Sequence, residues 1–414
     1  MELRKYQKQI SSEASELLKS KGIAYLAMEV RTGKTLTALE TARLYGAKTV
    51  LFITKIKAKA SVAADYEALR KLTPLFAMEI VNHESAHKHI GRSYDVVIVD
   101  EAHCLGAFPR PALKAKNIRE VCKTAGAVIL MSGTPTPESY SQLFHQFWVC
   151  PGSPFREYAS FYKWAKDYVD VFQRRINGNT INDYSHADEA KVKNVAGEYM
   201  LTFTQEDAGF FADIEETDIV CRMKEGTARI IRTLKRDRVV EPMEGCNVLG
   251  DTPAKLMSKL HQLSGGTVID EEGNHHILDY SKGQFIRDSF KGQRIAIFYC
   301  YQSELELLQT VFPVNTDSPE VFQEQSGNGI VFISQIKKAR EGIRLDRADA
   351  IIFYNPEFSY LSYEQGKNRI MSRERRESGK VYFLTSDCGI ESDILKAVRG
   401  KQDFTASWYF KHSR

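Results

Sequence analysis

YDVVIVDEAHCL, residues 94–105, sets four β-branched residues in a row, Val96, Val97, Ile98 and Val99, and follows them at once with Asp100 and Glu101. A continuous apolar run of this length, rather than an alternating one, is how a parallel strand buried on both faces reads. In open α/β sheets, ligands gather beyond the carboxyl ends of such strands. Two adjacent acids delivered there have a chemical use if a suitable partner stands beside them. Taken alone they suit a helix start equally well. The segments upstream decide between the two.

The partner is MEVRTGKT, Met28 to Thr35, which follows the apolar run IAYLAME and opens the helix-compatible stretch LTALETARL. Gly33 lets backbone amides approach a phosphate, Lys34 reaches β/γ oxygens, and Thr35 offers a hydroxyl to Mg²⁺. Arg31 and Thr32 complete the loop, and the helix that follows aims its positive end at the anion. Met28 stands where the general phosphate-loop pattern has glycine. Beside such a loop, Asp100 would hold Mg²⁺ and Glu101 would orient or deprotonate the water that attacks a γ-phosphate. The two segments together predict a nucleoside triphosphatase using Mg²⁺.

Outward from these motifs, strand-like and helix-like runs alternate from Ile23 to about Trp148: IAYLAME, TVLFIT, AMEIVNH, YDVVIVDE and AVILMSG, each followed by a helical pattern. The rhythm returns in RIAIFYCY (294–301), GIVFIS (329–334), DAIIFYNP (349–356) and KVYFLTSD (380–387). Such alternation implies parallel sheets wrapped by helices, here twice. The expected fold is α/β: two RecA-like parallel-sheet domains with a mainly helical insertion between them.

Between the two runs the composition changes. FREYASFYKWAKDYVDVF carries aromatics at roughly helical spacing, a stripe that together with Arg174 and Arg175 suits stacking on bases, and that equally suits a helix burying its rings. QRRINGNTINDYSHADEAK is polar and reads as a loop. KEGTARIIRTLKRDRVV carries a cluster of cations that suits phosphates or a solvated helix face alike. TVIDEEGNHHIL reads as a hairpin turning at Asp270–Gly273. Its neighbouring His275 and His276 would then point to opposite faces, which makes them a poor metal chelate.

With 414 residues the chain suits two or three domains. Lys and Arg number 57 against 53 acids, so nucleic-acid binding would rest on local clusters rather than on overall charge. No run of about 18 apolar residues offers a membrane span. Seven cysteines without CxxC spacing fit neither a disulfide framework nor a zinc site and suit a reducing compartment. The expected location is cytoplasmic.

In their order along the chain, these motifs resemble those of superfamily 2 helicases and translocases, and within them the Swi/Snf-like proteins of the compact type encoded by bacteriophages. LRKYQKQ (3–9) resembles the family's adenine-reading motif, with Gln7 in the base-contacting place. MEVRTGKT is similar to the family's phosphate loop, which also lacks the first glycine. IVNHESAHK resembles a nucleic-acid-contacting segment in which Tyr is usual where His83 stands. DEAH (100–103) and SGTP (132–135) follow in order, SQLFHQFWVCPGSPFREYASF resembles the entry to the helical insertion, and KLHQLSGG (259–266) resembles the return from it. AREGIRLDRADAIIFYNP (339–356) resembles the fifth motif, with Gly342 in register. YEQGKNRIMSRERR (363–376) resembles the sixth, with Gln365 and Arg369 in place. Ser372 stands where a second arginine is usual, which leaves that role to Arg373, with Arg376 as the other candidate.

The resemblance implies an N-terminal RecA-like ATP-binding domain over 1–150, a mainly helical Swi/Snf-like insertion with a small hairpin over 151–287, and a C-terminal RecA-like helicase domain over 288–414. It implies catalysis by Lys34, Asp100, Glu101, Arg369 and Arg373. Nucleotide contacts would come from Gln7, Arg31, Thr32, Gly33, Lys34, Thr35 and Gly342, with Mg²⁺ on Thr35 and Asp100. His103, Ser132, Thr134 and Gln365 would couple hydrolysis to movement on DNA. The implied partners are ATP, single-stranded, duplex or forked DNA, and other phage or host replication proteins, in the bacterial host cytoplasm. The activity expected is that of an ATP-dependent DNA helicase or double-stranded DNA translocase. An RNA helicase and an ATP-switched DNA clamp or loader are the alternatives.

Overall fold

The computed structural model describes residues 2–176, 179–210, 213–324, 329–339, 343, 345–371, 375 and 377–400. The chain divides into two compact units, residues 1–209 and 210–414.

The first unit is built on six parallel strands: β1 (Ile23–Met28), β2 (Thr49–Thr54), β3 (Ala77–Asn82), β4 (Val96–Val99), β5 (Ala127–Met131) and β6 (Met200–Phe203), in the order β3-β2-β4-β5-β1-β6. Successive side chains leave a strand on opposite faces, and the core follows that rule. Ile23, Tyr25, Leu51, Ile53, Val97, Val99, Val128 and Leu130 pack on one face with Phe144, Phe147, Phe161 and Trp164. Ala24, Leu26, Phe52, Val96, Ile98 and Ile129 pack on the other with Ile10, Ala14 and Leu18 of the helix Lys5–Lys21 and Ala38, Leu39 and Ala42 of the helix Lys34–Tyr45. Each aliphatic side chain buried this fully contributes about 1.5–3 kcal/mol. The helix Lys5–Lys21 stops at Gly22, whose φ of 73° lets its N–H reach the Leu18 carbonyl at 3.0 Å.

The second unit repeats the plan. Its strands β7 (Ile214–Cys221), β8 (Ile295–Tyr299), β9 (Asn315–Thr316), β10 (Val331–Gln335), β11 (Ala350–Phe353) and β12 (Gly379–Ser386) are all parallel, in the order β9-β10-β8-β11-β12-β7. Alternate residues again divide between two faces: Ala296, Phe298, Ile351, Phe353, Val381 and Phe383 to one, Ile295, Ile297, Ile352 and Leu384 to the other. Two six-stranded parallel sheets with helices are the fold class expected from the strand rhythm.

The nine strands legible in the sequence all form, and β6, β7 and the two-residue β9 join them at sheet edges. The segment 151–287 gives β6 to the first sheet and β7 to the second, alongside the helices Phe161–Tyr168, Glu189–Ala196, Glu225–Asp237 and Pro253–Ser264. The polar stretch read as a loop is instead a two-stranded antiparallel ribbon, Phe172–Ile176 against Asn179–Asp183, followed by a helix that Asp188 caps through Lys191 N at 3.0 Å. Asn177–Gly178 is a dipeptide that favours such hairpins, and polar composition masked the signal. Most of the aromatic stripe is core: Phe155, Phe161 and Trp164 are buried, while Tyr162 and Phe172 remain exposed. The 267–277 hairpin forms as read, with His275 bonded to Glu306 and His276 to Asp270. Among the described residues no helix is long and apolar enough to cross a membrane.

Candidate nucleotide site at the strand ends of the first unit

The carboxyl ends of β1, β4 and β5 bring together what the sequence had spread over more than a hundred positions. Residues 29–33 form the turn between β1 and the helix Lys34–Tyr45. Gly33 has φ 88°, a conformation that favours glycine, and a Cβ there would lie 2.4 Å from Gln7 Nε2 and displace that amide. Gln7 is 3% exposed; it accepts from Arg4 N at 2.9 Å and donates to the Gly33 carbonyl at 3.2 Å. Tyr6 donates to the Thr32 carbonyl at 2.9 Å, and its ring stacks on Phe203 at 4.5 Å. In a trans peptide the carbonyl of one residue and the N–H of the next point in opposite directions. Drawing the Thr32 and Gly33 carbonyls toward Tyr6 and Gln7 therefore turns the amides of Gly33 and Lys34 the other way, as an anion nest requires. Lys34 folds its ammonium onto the Met28 and Glu29 carbonyls, at 2.8 and 3.0 Å. Thr32 Oγ1 donates to the Glu29 carbonyl at 2.7 Å, and Thr35 sits half-buried in the first helical turn. Gly133 of the SGTP segment approaches from β5: a Cβ on it would lie 3.4 Å from Lys34 Nζ.

Asp100 stands at the end of β4, its carboxylate accepting from Thr54 Oγ1 at 2.8 Å and from the Glu101 amide at 2.9 Å. Burial, then the neighbouring Glu101, push its pKa up to about 6, against the pull of Thr54 and Lys34. Each oxygen keeps a further lone pair. A half-buried carboxylate with free lone pairs is an oxygen donor of the kind Mg²⁺ takes, a cation that otherwise keeps its own waters. Asp100 suits the metal that the sequence implied, and Thr35 would be its second ligand.

Glu101 adopts φ 51°, and Arg31 φ 65°. Non-glycine residues rarely enter this region, and where they do the surroundings hold the strain, commonly at functional sites. The Glu101 carboxylate lies 3.2 Å from His103 Nδ1 and 3.7 Å from Lys55 Nζ. His103 Nδ1 also meets Ser132 Oγ at 3.0 Å, and Ser132 Oγ accepts from the Thr134 amide at 3.1 Å. Burial lowers the His103 pKa to about 4, with Glu101 opposing, so the ring is neutral near pH 7. Glu101, His103, Ser132 and Thr134 are thus joined through one imidazole. Thr134 Oγ1 is buried without a hydrogen-bond partner among the described residues.

Several residues of the site were not read from the sequence. Thr54 and Lys55 hold the two acids, and the signal was available: a polar pair ends the strand next to the acid-bearing one. His83, read from the sequence only as part of a nucleic-acid-contacting segment, is buried, and its Nε2 contacts the Asp100 carbonyl at 2.9 Å, bracing the main chain of the acid pair. Tyr25, fully buried on β1, donates to Gln146 Oε1 at 2.6 Å. In the second unit, Gln365 is buried in the helix Tyr360–Lys367, and Arg369 is 7% exposed in the following turn, its carbonyl accepting from Leu345 N at 3.1 Å. Gly342, Arg373 and Arg376 lie outside the described residues.

No family model and no curated protein matches this sequence. Among solved structures the chain is similar to a Sulfolobus solfataricus SWI2/SNF2 ATPase core in complex with dsDNA. The identity is 15%, covering 97% of this chain and 91% of that one, with a TM-score of 0.45. A second structure, the Sulfolobus solfataricus SWI2/SNF2 ATPase core domain, is 14% identical over 99% of this chain and 92% of its own, with a TM-score of 0.44.

Proposed function

We propose that this chain is an ATP-dependent DNA translocase or helicase of the Swi/Snf-like type. The observation that carries the nucleotide half is the placement of Lys34, Asp100 and Glu101 just beyond the carboxyl ends of β1 and β4, the two strands that flank β5, around a loop whose Thr32 and Gly33 carbonyls are bonded to Tyr6 and Gln7. Phosphoryl transfer leaves little covalent work to the protein, so positioning and charge neutralisation suffice. Lys34 exchanges its loop carbonyls for β/γ oxygens, and Gln7 with Tyr6 keeps the loop in shape. Mg²⁺, held by Asp100 and Thr35 when bound, neutralises phosphate charge. Glu101 orients the attacking water and takes its proton. His103 and Ser132 tie that carboxylate to the Thr134 segment, through which a bound strand feels the state of the nucleotide.

The DNA half rests on the order of motifs along the chain. On this reading Arg369 and Arg373 of the second unit stabilise the transition state, so that hydrolysis requires both units and is tied to stepwise movement on DNA. The setting is phage DNA replication, recombination or fork remodelling in the bacterial host cytoplasm, with other replication proteins as partners. The test is the ATPase rate with single-stranded, duplex and forked DNA and with RNA side by side. Stimulation by DNA supports the reading and the best form of DNA names the substrate. Stimulation by RNA alone, or hydrolysis indifferent to nucleic acid, overturns it.

A further inference from the structure

The phosphate loop is gripped from a direction no motif announces. β6 pairs with β1 in parallel, Met28 beside Phe203, and the Phe203 carbonyl accepts from the Glu29 amide at 2.9 Å. Two residues on, Gln205 bonds the loop twice: its amide donates to Glu29 Oε2 at 2.8 Å and its Nε2 to the Val30 carbonyl at 3.0 Å. The turn carrying Gln205 is closed on itself. Thr204 N and Oγ1 donate to Asp207 Oδ2 at 2.9 and 2.7 Å, and Asp207 N donates back to Thr204 Oγ1 at 3.1 Å. A turn locked in this way fixes where Gln205 reaches. Drawing the Val30 carbonyl toward Gln205 turns the Arg31 amide the opposite way, out of the contact with the edge turn. Arg31, with its positive φ, is the residue least able to hold that orientation unaided.

We propose that Gln205, presented by the Thr204–Asp207 turn, is a positioning residue that straps the phosphate loop from the edge strand and pre-forms its anion nest. The inference deepens the nucleotide reading above and rests on it for its ligand, but the strap itself is tested without nucleotide.

The first measurement is amide exchange of the peptide spanning 28–36 in the nucleotide-free full chain. Gln205→Leu keeps much of the volume and loses the donor, and Thr204→Val unlocks the turn. Both should speed exchange in that peptide, Gln205→Leu about fivefold, the worth of one net hydrogen bond. The second measurement is steady-state ATP hydrolysis. Gln205→Leu should raise KM about fivefold and leave kcat within about a factor of two, the mark of lost binding order rather than lost transition-state contact. A merely structural role would lower the melting temperature and the maximal rate of the sample and leave KM alone. Unchanged exchange in both variants overturns the strap whatever the enzyme does. Faster exchange together with a wild type that neither binds nor hydrolyses ATP leaves the strap standing and removes the nucleotide reading.

Discussion

The two sheets share one plan, and both place acids at their carboxyl ends, yet the acids are treated in opposite ways. In the first unit Asp100 has two donors, and burial drives its pKa up to about 6. In the second, Glu391 is fully buried where Asp100 is half-buried, and burial pulls the same way. There Lys282 sits against it at 2.6 Å, both side chains fully enclosed, and with a backbone amide and His261 it outweighs burial, so the carboxyl is held below its usual range. Glu391 also accepts from Ser386 N and Oγ, each at 2.9 Å. Glu304 nearby takes the amides of Cys300 and Tyr301 and the side chain of Asn355. At the second edge Glu391 and Glu304 have every carboxylate oxygen engaged and serve as scaffold. The first leaves a carboxylate whose raised pKa a bound cation would lower, beside a strained Glu101 with a quarter of its side chain open to solvent. A strand end marks where chemistry can occur; how completely its acids are satisfied distinguishes chemistry from framework.

If that distinction is right, removing the cation from each edge has opposite consequences. Lys34→Ala should lower ATP turnover about a thousandfold, the cost of losing a charge aimed at the transition state, and leave the unfolding midpoint in urea within error. Turnover near the wild-type rate would show that this loop is not the phosphate site. Lys282→Met should do the reverse, costing about 3–5 kcal/mol of folding stability because it leaves Glu391 buried and unpaired. Pairing it with Glu391→Leu should restore most of that loss. A single variant as stable as wild type would mean that the ion pair does not hold this edge together.

Glu101→Gln probes the open edge more finely. The amide cannot take a proton from water, so hydrolysis should fall about a hundredfold. ATP affinity should stay within about a factor of three, because Asp100 and Lys34 remain. Collapse of ATP binding in a titration would instead make Glu101 a ligand of the metal.

The same contrast explains what could be read from the sequence. Asp100, Glu101, Gly33, Lys34 and Thr35 were legible because each follows or opens an uninterrupted apolar element, so position along the chain fixes position in the fold. Edge strands have no such run: IEETDIVC in β7 alternates exposed and half-buried residues, and MLTF in β6 is partly exposed throughout. Strands that bury one face poorly resemble loops. Gln205 lies just beyond one of them and went unread with it. Thr54 and Lys55 were missed for another reason, because each meets the acid pair only once β2 is laid beside β4, and His83, read only as part of a nucleic-acid-contacting segment, braces Asp100 for the same reason. The Lys282–Glu391 pair, 109 positions apart, belongs to no local pattern.

The smallest expected effect concerns a feature the two units share rather than one that separates them. Each carries a buried imidazole whose pKa burial lowers to about 4: His145, on the Ala107 carbonyl at 2.7 Å, and His261, on the Tyr301 hydroxyl at 3.0 Å. Around His261, Glu391 pulls the value up and Lys282 pushes it down, and burial outweighs both. Because the folded value lies below the unfolded value near 6.5, the unfolded chain takes the proton first as pH falls. Each ring's contribution to stability is complete above about pH 6.5 and is lost progressively as pH falls toward about 4. Between pH 7.5 and 5.5 each should cost about 1 kcal/mol. Urea unfolding at those two pH values should show a smaller drop for His145→Gln and for His261→Gln than for wild type, by similar amounts. A drop abolished in one variant and untouched in the other would mean that one ring finds a partner for its charge on protonation. The likeness of the two sheets would then fail at its electrostatics even where it holds in its strands.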